Sequence, residues 1–258
     1  MAKAVTVLPD GSRLPVAREW VPEAPVALEF NGLSYAVMMA TPADLVDFAT
    51  GFALTEGLAA GGGEVGEVAV AEVDDGWIVR AALSGLGVEQ LGERVRMRVA
   101  DSSCGLCGVE NLAALAKPLP RVAPHAPLDV AAIFRALAEL PVMQVLGQAT
   151  GAAHAAAWAD AGGHIGCLRE DVGRHNAMDK LIGAMAREGR PLAPGFVLST
   201  ARCSYEIVEK AVRAGATTLV TISLPTSLAV ERASAAGLSL WALAREDSVM
   251  LVNGAAET

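Results

Sequence analysis

Aromatic residues are scarce in this sequence of 258 residues, at 4%, and cysteine is scarcer still, with four. The first shortage argues against large aromatic clusters. With 53% hydrophobic residues, much of it alanine, the chain reads as tightly packed helices and sheets instead. The second excludes a disulfide framework. Basic charge is also short: 20 Lys and Arg against 29 Asp and Glu leave a net charge of −9. That disfavours general binding to nucleic acid or a membrane surface, which requires a spread basic face. Any anionic ligand must be met by a local basic cluster. No apolar run reaches the roughly 18 residues a membrane span needs, and Met1–Pro9 lacks the sustained apolar core of a signal peptide. The expectation is a cytoplasmic protein with reduced thiols, long enough for one large domain or two small ones.

What is present begins with turn and strand signals. Val26–Phe30 and Leu33–Val37 flank Asn31-Gly32, a pair that favours the positive φ angles of a type I′ hairpin turn. Thr41-Pro42 reads as a helix start, Thr41 as cap and Pro42 at the first helical position, with Leu45, Phe48 and Phe52 on one face. Val65–Val73 and Trp77–Leu83 read as a second hairpin. Arg94–Val99 alternates charged and apolar residues, which predicts a half-exposed strand. Helices are expected over Val109–Ala116 and Val130–Leu140. From Thr150 the texture changes: a hairpin of His154–Ala159 and His164–Leu168, then a helix from Arg174. Strand Phe196–Ser199, helix Ser204–Ala214, strand Thr218–Ile222, helix Ser227–Ala236 and strand Ser239–Leu243 follow. This alternation implies parallel strands joined by crossover helices, a layered α/β architecture. The division expected is 1–125, an N-terminal α+β part that is strand-rich, and 126–258, an α/β part that binds ligand.

Chemistry concentrates first at Asp101-Ser-Ser-Cys104-Gly-Leu-Cys107-Gly108. Such a pair offers a redox dithiol, half of a metal site, or a nucleophilic thiolate. A zinc site usually needs four ligands, and Cys167 and Cys203 are isolated in strand-like contexts, where a cysteine is ordinarily a small buried hydrophobe. The zinc nucleobase deaminase signature, His-x-Glu then Pro-Cys-x-x-Cys, fails: no histidine has glutamate two positions on, and Ser103 precedes the pair. The strand-rich segment upstream fits a thioredoxin poorly. A nucleophile at a helix amino end is favoured by the helix dipole.

A second cluster, Arg169-Glu-Asp171-Val-Gly173-Arg174-His175-Asn176-Ala-Met-Asp179-Lys180, is dense in charge for a chain that is only 19% charged. Gly173 separates strand from helix, so Arg174, His175 and Asn176 fall at a helix amino terminus, an anion-binding position. Lys180 lies on the same helix. A third set follows strands in the α/β half: His154 at a strand start, Ser204 and Thr226 after two parallel strands, and Arg245-Glu-Asp247 after the third. Open α/β sheets bind ligands outside the carboxyl ends of their strands. Ser204 and Thr226 also look like ordinary helix caps.

The string Glu170-Asp-Val-Gly-Arg-His-Asn-Ala-Met-Asp-Lys180-Leu-Ile-Gly183 closely resembles the hallmark of the formate dehydrogenase accessory sulfurtransferase family (FdhD). Ser103–Gly108, Thr41–Asp44 with Gly51-Phe52 and Thr55-Glu56-Gly57, and Pro225–Val230 extend the resemblance in collinear order over roughly residues 20–252. It implies a sulfur carrier that accepts persulfide sulfur from a cysteine desulfurase. The sulfur is delivered to the molybdenum bis-guanine-dinucleotide cofactor before insertion into formate dehydrogenase. It implies a cytidine deaminase-like fold without the zinc, and a homodimer. By motif position Cys104 is the persulfide cysteine and Cys107 its partner. The cofactor-binding segment is Leu243-Ala244-Arg245-Glu246-Asp247-Ser248, with Arg174, His175, Asn176, Lys180, His154, Ser204 and Thr226 as further contacts. Two other readings are a non-catalytic chaperone for the cofactor and a thiol–disulfide oxidoreductase.

Overall fold

In the computed structural model of the chain, residues 4–16, 19–99 and 118–254 are described. Cys104, Cys107 and the helix expected over 109–116 lie outside them. Among the described residues the strands form three sheets. The hairpin β1 (Ala4–Val7) and β2 (Arg13–Val16) makes a two-stranded ribbon. Strands β3 (Ala24–Phe30), β4 (Leu33–Ala40), β5 (Val65–Val73) and β6 (Gly76–Leu83) form a four-stranded sheet in the order β4-β3-β6-β5. Asn31 and Gly32 take φ of 50° and 78° as the turn signal predicts. The Asn31 side chain also bonds Leu83 N at 2.7 Å and Leu86 O at 2.9 Å, which ties the turn to the next hairpin.

The third sheet has six strands in the order β12-β11-β10-β9-β7-β8: β7 (His154–Ala159), β8 (Ile165–Asp171), β9 (Phe196–Ser199), β10 (Thr218–Thr221), β11 (Ser239–Ala242) and β12 (Met250–Asn253). Its centre, β9-β10-β11, is parallel, and the flanking strands are antiparallel. All four residues of each parallel strand are buried, as a sheet covered on both faces requires. Helices α5 (Arg174–Arg187), α6 (Tyr205–Arg213) and α7 (Ser227–Ala236) pack on one face through Met178, Leu181, Ile207, Val208 and Ala233. Helix α3 (Val130–Met143) covers the other through Ile133, Ala136 and Leu140 against Phe196 and Leu198. The layered α/β expectation holds, with β12 and the short α4 (Val145–Thr150) added.

Helix α1 (Leu45–Thr55) lies between the four-stranded sheet and α5. Composition argued against aromatic clustering, yet Phe30, Tyr35, Phe48 and Phe52 meet here with ring centroids 5.9–6.3 Å apart. The few aromatics are pooled in the core of one sheet rather than spread.

Two local expectations are corrected. Helix α1 begins at Leu45 after Asp44 in left-handed conformation (φ 53°), not at Thr41-Pro42. Thr41 is unavailable as a cap because its N–H, hydroxyl and carbonyl are all bound to the segment around Asp171. Arg94–Val99 is helical, as part of α2 (Val88–Val99). Six alternating residues are too short a window. Val88, Leu91, Val95 and Val99 recur at helical spacing, and Leu91 is fully buried in the core of the four-stranded sheet.

Candidate functional site

The carboxyl ends of β8, β9, β10 and β11 lie along one edge of the six-stranded sheet, together with the amino ends of the antiparallel β7 and β12. Five inter-strand steps of about 4.8 Å make this edge roughly 24 Å long. It gathers His154 at the start of β7, Arg174 and His175 at the start of α5, Ser204 and Thr226 before α6 and α7, and the segment from Leu243 to Ser248. Backbone bonds lace the turns together: Thr226 N to Cys203 O at 3.0 Å, Ala244 N to Thr221 O at 3.2 Å and Arg245 N to Ser248 O at 2.8 Å. Leu243 adopts φ 48°, so the chain turns sharply there. The Arg245 guanidinium donates to the carbonyls of Ile222 and Ala244.

At one end of the edge the charge is positive. Burial, then the charges of Arg174, His175 and Arg202, hold the His154 imidazole below its usual pKa, so it is neutral near pH 7. The Arg174 Nε is buried with no hydrogen-bond partner among the described residues, an orphaned donor. His175 Nε2 lies 3.0 Å from Glu206 Oε2, close enough for an ion pair but off the direction of a good hydrogen bond. Ser204 does not cap α6; its hydroxyl donates to Glu206 at 3.2 Å. Thr226 does cap α7, accepting from Ala229 N at 3.3 Å. Arg202 and Glu206 were not among the contacts expected from sequence, although their neighbour Ser204 was.

The His175 imidazole, and then Ser204, pull the Glu206 carboxyl below its usual value against the cost of burial. A depressed carboxyl contributes stability above its unfolded pKa and loses it as pH falls through the folded one. The gap in unfolding free energy between the protein and Glu206→Gln, about 0.2–1 kcal/mol for so exposed a pair, should therefore shrink as urea titrations move from pH 7 to below 4.5.

Two of the expected contacts turn inward. Lys180 is wholly buried, its Nζ 2.6 Å from Asp171 Oδ2 and 2.9 Å from Thr41 O. Asp171 also accepts from Gly173 N (2.7 Å), Asn176 Nδ2 (3.0 Å) and Thr41 N (3.0 Å). Asn176 donates as well to Met39 O at 2.9 Å. Lys180 Nζ and Asn176 Nδ2 are both spent on these inward partners. They lock the end of β8 and the start of α5 to the Thr41 segment. One turn further along α5, Asp179 accepts from Lys210 (2.9 and 3.0 Å) and Thr55 (2.7 Å). Burial pushes the Asp179 carboxyl up, opposed by the Lys210 charge. This second buried pair lines a cavity of about 300 Å3 with His175 and Glu206.

Cys167 and Cys203 are both buried. Burial raises the Cys167 thiol and pushes Cys203 up to about 12, so neither supplies thiolate near neutral pH. Iodoacetamide at pH 8 should leave both unmodified in the folded protein and label both after denaturation, as read by peptide mass spectrometry. Label on Cys203 without denaturant would contradict its burial. Among the described residues no group of three His, Cys, Asp or Glu side chains is arranged to hold a metal ion. No described helix is long and apolar enough to cross a membrane.

Comparison with known proteins gives this geometry a family. The chain is 48% identical over 245 residues to the sulfur carrier protein FdhD of Chromobacterium violaceum, covering 94% of this chain and 91% of that one. It is 45% identical over 235 residues to the protein of the same name from Variovorax paradoxus, covering 91% and 84%. A crystal structure described as a formate dehydrogenase accessory protein from Desulfotalea psychrophila matches with a TM-score of 0.76 at 24% identity, over 98% of this chain and 96% of the other. At that identity the likeness speaks for the fold. The model of the FdhD/NarQ family matches residues 21–257, and the chain is a member of that family.

Proposed function

We propose that the protein is a sulfur carrier serving formate dehydrogenase. It moves persulfide sulfur from a cysteine desulfurase to a molybdenum bis-guanine-dinucleotide cofactor before that cofactor enters the dehydrogenase. The observation that carries the reading is that relatives 45% and 48% identical over nearly the whole chain are named sulfur carriers. The burial of Cys167 and Cys203 supports Cys104 and Cys107 as the reactive pair.

The Cys104 thiolate attacks the outer sulfur of the donor's persulfide. A new S–S bond forms on Cys104, the donor's S–S bond breaks, and the donor leaves as a thiolate. For delivery, the Cys107 thiolate attacks the Cys104 sulfur. This closes a Cys104–Cys107 disulfide and expels the outer sulfur as sulfide for the metal centre. The two electrons that make sulfide come from the thiol pair, which a cellular dithiol then restores.

The cofactor is the cargo. Its phosphates and guanines would lie along the carboxyl edge, met by the unpartnered Arg174 donor, Arg202, neutral His154, and the turns of Ser204, Thr226 and Leu243–Ser248. An edge roughly 24 Å long suits so extended a ligand. Lys180 and Asn176 serve by fixing Arg174 and His175 rather than by touching it. The scaffold is read as cytidine deaminase-like without its zinc, working as a homodimer.

The test incubates the protein with a cysteine desulfurase and [35S]cysteine and finds the label by peptide mass spectrometry. Persulfide on Cys104, absent in Cys104→Ala, is the expected result, with Cys107→Ala loaded but unable to release sulfide. If the cofactor binds but no persulfide forms, a chaperone is the better reading. Catalysed reduction of insulin disulfides would point to an oxidoreductase.

A further inference from the structure

Away from the carboxyl edge, a cleft of about 350 Å3 opens at the far ends of α5 and α6. Its walls are the Gly57–Gly62 turn after α1, Met185 of α5, Arg190, Arg213 on the last turn of α6, and Pro120. Helix α6 starts at the carboxyl edge and runs nine residues to Arg213, about 13 Å at 1.5 Å per residue. The cleft is therefore separate from the edge. Among the described residues that line it are two arginines and no carboxylate, in a protein with a net charge of −9.

The two arginines are held differently. Arg190 is fixed: its guanidinium lies 4.8 Å over the Trp158 ring, and Nη1 donates to Glu188 at 2.9 Å and Gly166 O at 3.3 Å. Arg213 makes no hydrogen bond or ion pair among the described residues, although Glu209 lies a turn behind it. A cation in the last turn of a helix is favoured by the helix dipole, and that accounts for the sign of residue 213. It does not account for its direction. Nη1 is turned over the Gly57 turn, 3.9 Å from where a side chain at Gly57 would begin. Gly57 itself has φ +66°, a conformation that favours glycine, so the wall beneath the guanidinium is bare backbone. The same turn is held from its other side by Arg94, which donates to Gly57 O at 3.0 Å and Glu56 O at 3.3 Å.

We infer that this cleft binds a small ligand through an oxyanion, a phosphate or a carboxylate, held between Arg213 and Arg190 against the Gly57–Gly62 backbone. The volume is at the lower end for small-molecule sites, so the ligand is compact. An exposed guanidinium without a hydrogen bond of its own among the described residues, held over bare backbone at the mouth of a concavity, is what such a group recognises. The inference is independent of whether Cys104 carries sulfur.

The test uses the full chain at low ionic strength with inorganic phosphate and with acetate as separate probes, against matched chloride. Binding is read from the fluorescence of Trp158, with Trp158→Phe as control, and from the thermal midpoint. All variants are made on one Arg174→Ala background, which weakens anion binding at the carboxyl edge equally in each, so a difference between them belongs to residue 213. Saturable binding that weakens tenfold or more in Arg213→Ala and partly returns in Arg213→Lys is expected. Arg213→Ala should unfold like its parent when no probe is present. A response to phosphate alone assigns a phosphate-bearing ligand, and a response to acetate assigns a carboxylate. No saturable response to either probe, or equal binding with and without Arg213, overturns the inference.

Discussion

Lys180→Ala is expected to remove about 3–5 kcal/mol of folding stability, the usual cost of deleting one partner of a buried ion pair. Both members are wholly buried, with Nζ 2.6 Å from Asp171 Oδ2. Among the described residues Lys180 is the one charged partner of this carboxylate, and its loss leaves the N–H groups of Gly173, Thr41 and Asn176. Those three donors soften the loss without neutralising the charge. The substitution also removes one of the two donors to the carbonyl of Thr41, leaving the Ala43 N–H. Guanidinium unfolding at pH 7 checks the magnitude. The double variant Asp171→Asn, Lys180→Met separates charge from packing: it removes both charges, keeps an acceptor at 171, and should recover most of the loss. A single variant with the stability of the unmodified protein would mean that the lock between β8, α5 and Thr41 contributes nothing. Since Arg174 and His175 stand on the same first turn of α5, Lys180→Ala should weaken binding at the carboxyl edge too, without touching the ligand.

Gly183→Ala should lower the thermal midpoint by roughly 4–8 °C. On an exposed helix the exchange would gain about 1 kcal/mol of propensity, so the sign depends on the contact. Helices α1 and α5 cross with Gly51 facing Gly183. A Cβ at 183 would fall on the carbonyl of Asp47, and one at 51 on the carbonyl of Asp179. Both obstacles are backbone, so the helices must separate rather than rotate a side chain. Overpacking costs typically 1–3 kcal/mol and more when backbone must move. Parting the helices also disturbs Asp179, whose partners Thr55 and Lys210 sit across the same junction. A net loss near 2 kcal/mol, at 2–4 °C per kcal/mol in a chain of this size, gives the expected shift. Calorimetry of Gly183→Ala beside Gly63→Ala makes the comparison, since a Cβ at Gly63 meets nothing within 4 Å. Equal midpoints for the two would rule out the close crossing.

Much of the architecture was legible because its signals are local. Asn31-Gly32 demands positive φ whatever surrounds it, and the short apolar runs from Phe196 to Ala242 alternate with amphipathic helices at parallel-sheet spacing. The errors arose where local signals tie or are overruled. Thr41-Pro42-Ala-Asp44 has the chemistry of a helix start, but partners more than a hundred residues away take every polar group of Thr41. Arg94–Val99 alternates well enough for a strand until Leu91 is anchored in the core.

The charged string from Arg169 to Lys180 is the clearest case of shared labour between sequence and structure. The sequence by itself determined that this string begins a helix and that its residues belong to the FdhD/NarQ pattern. Only the tertiary structure decided which side chains face out. Spacing along a helix says which residues share a face, but not whether water, another helix or a carboxylate lies opposite. Here Asp171, Asn176 and Lys180 are spent inside, on each other and on Thr41, while Arg174 and His175 are left at the edge of the sheet. That division follows from the long-range meeting of β8, α5 and the Thr41 segment, and no window of neighbouring residues contains it.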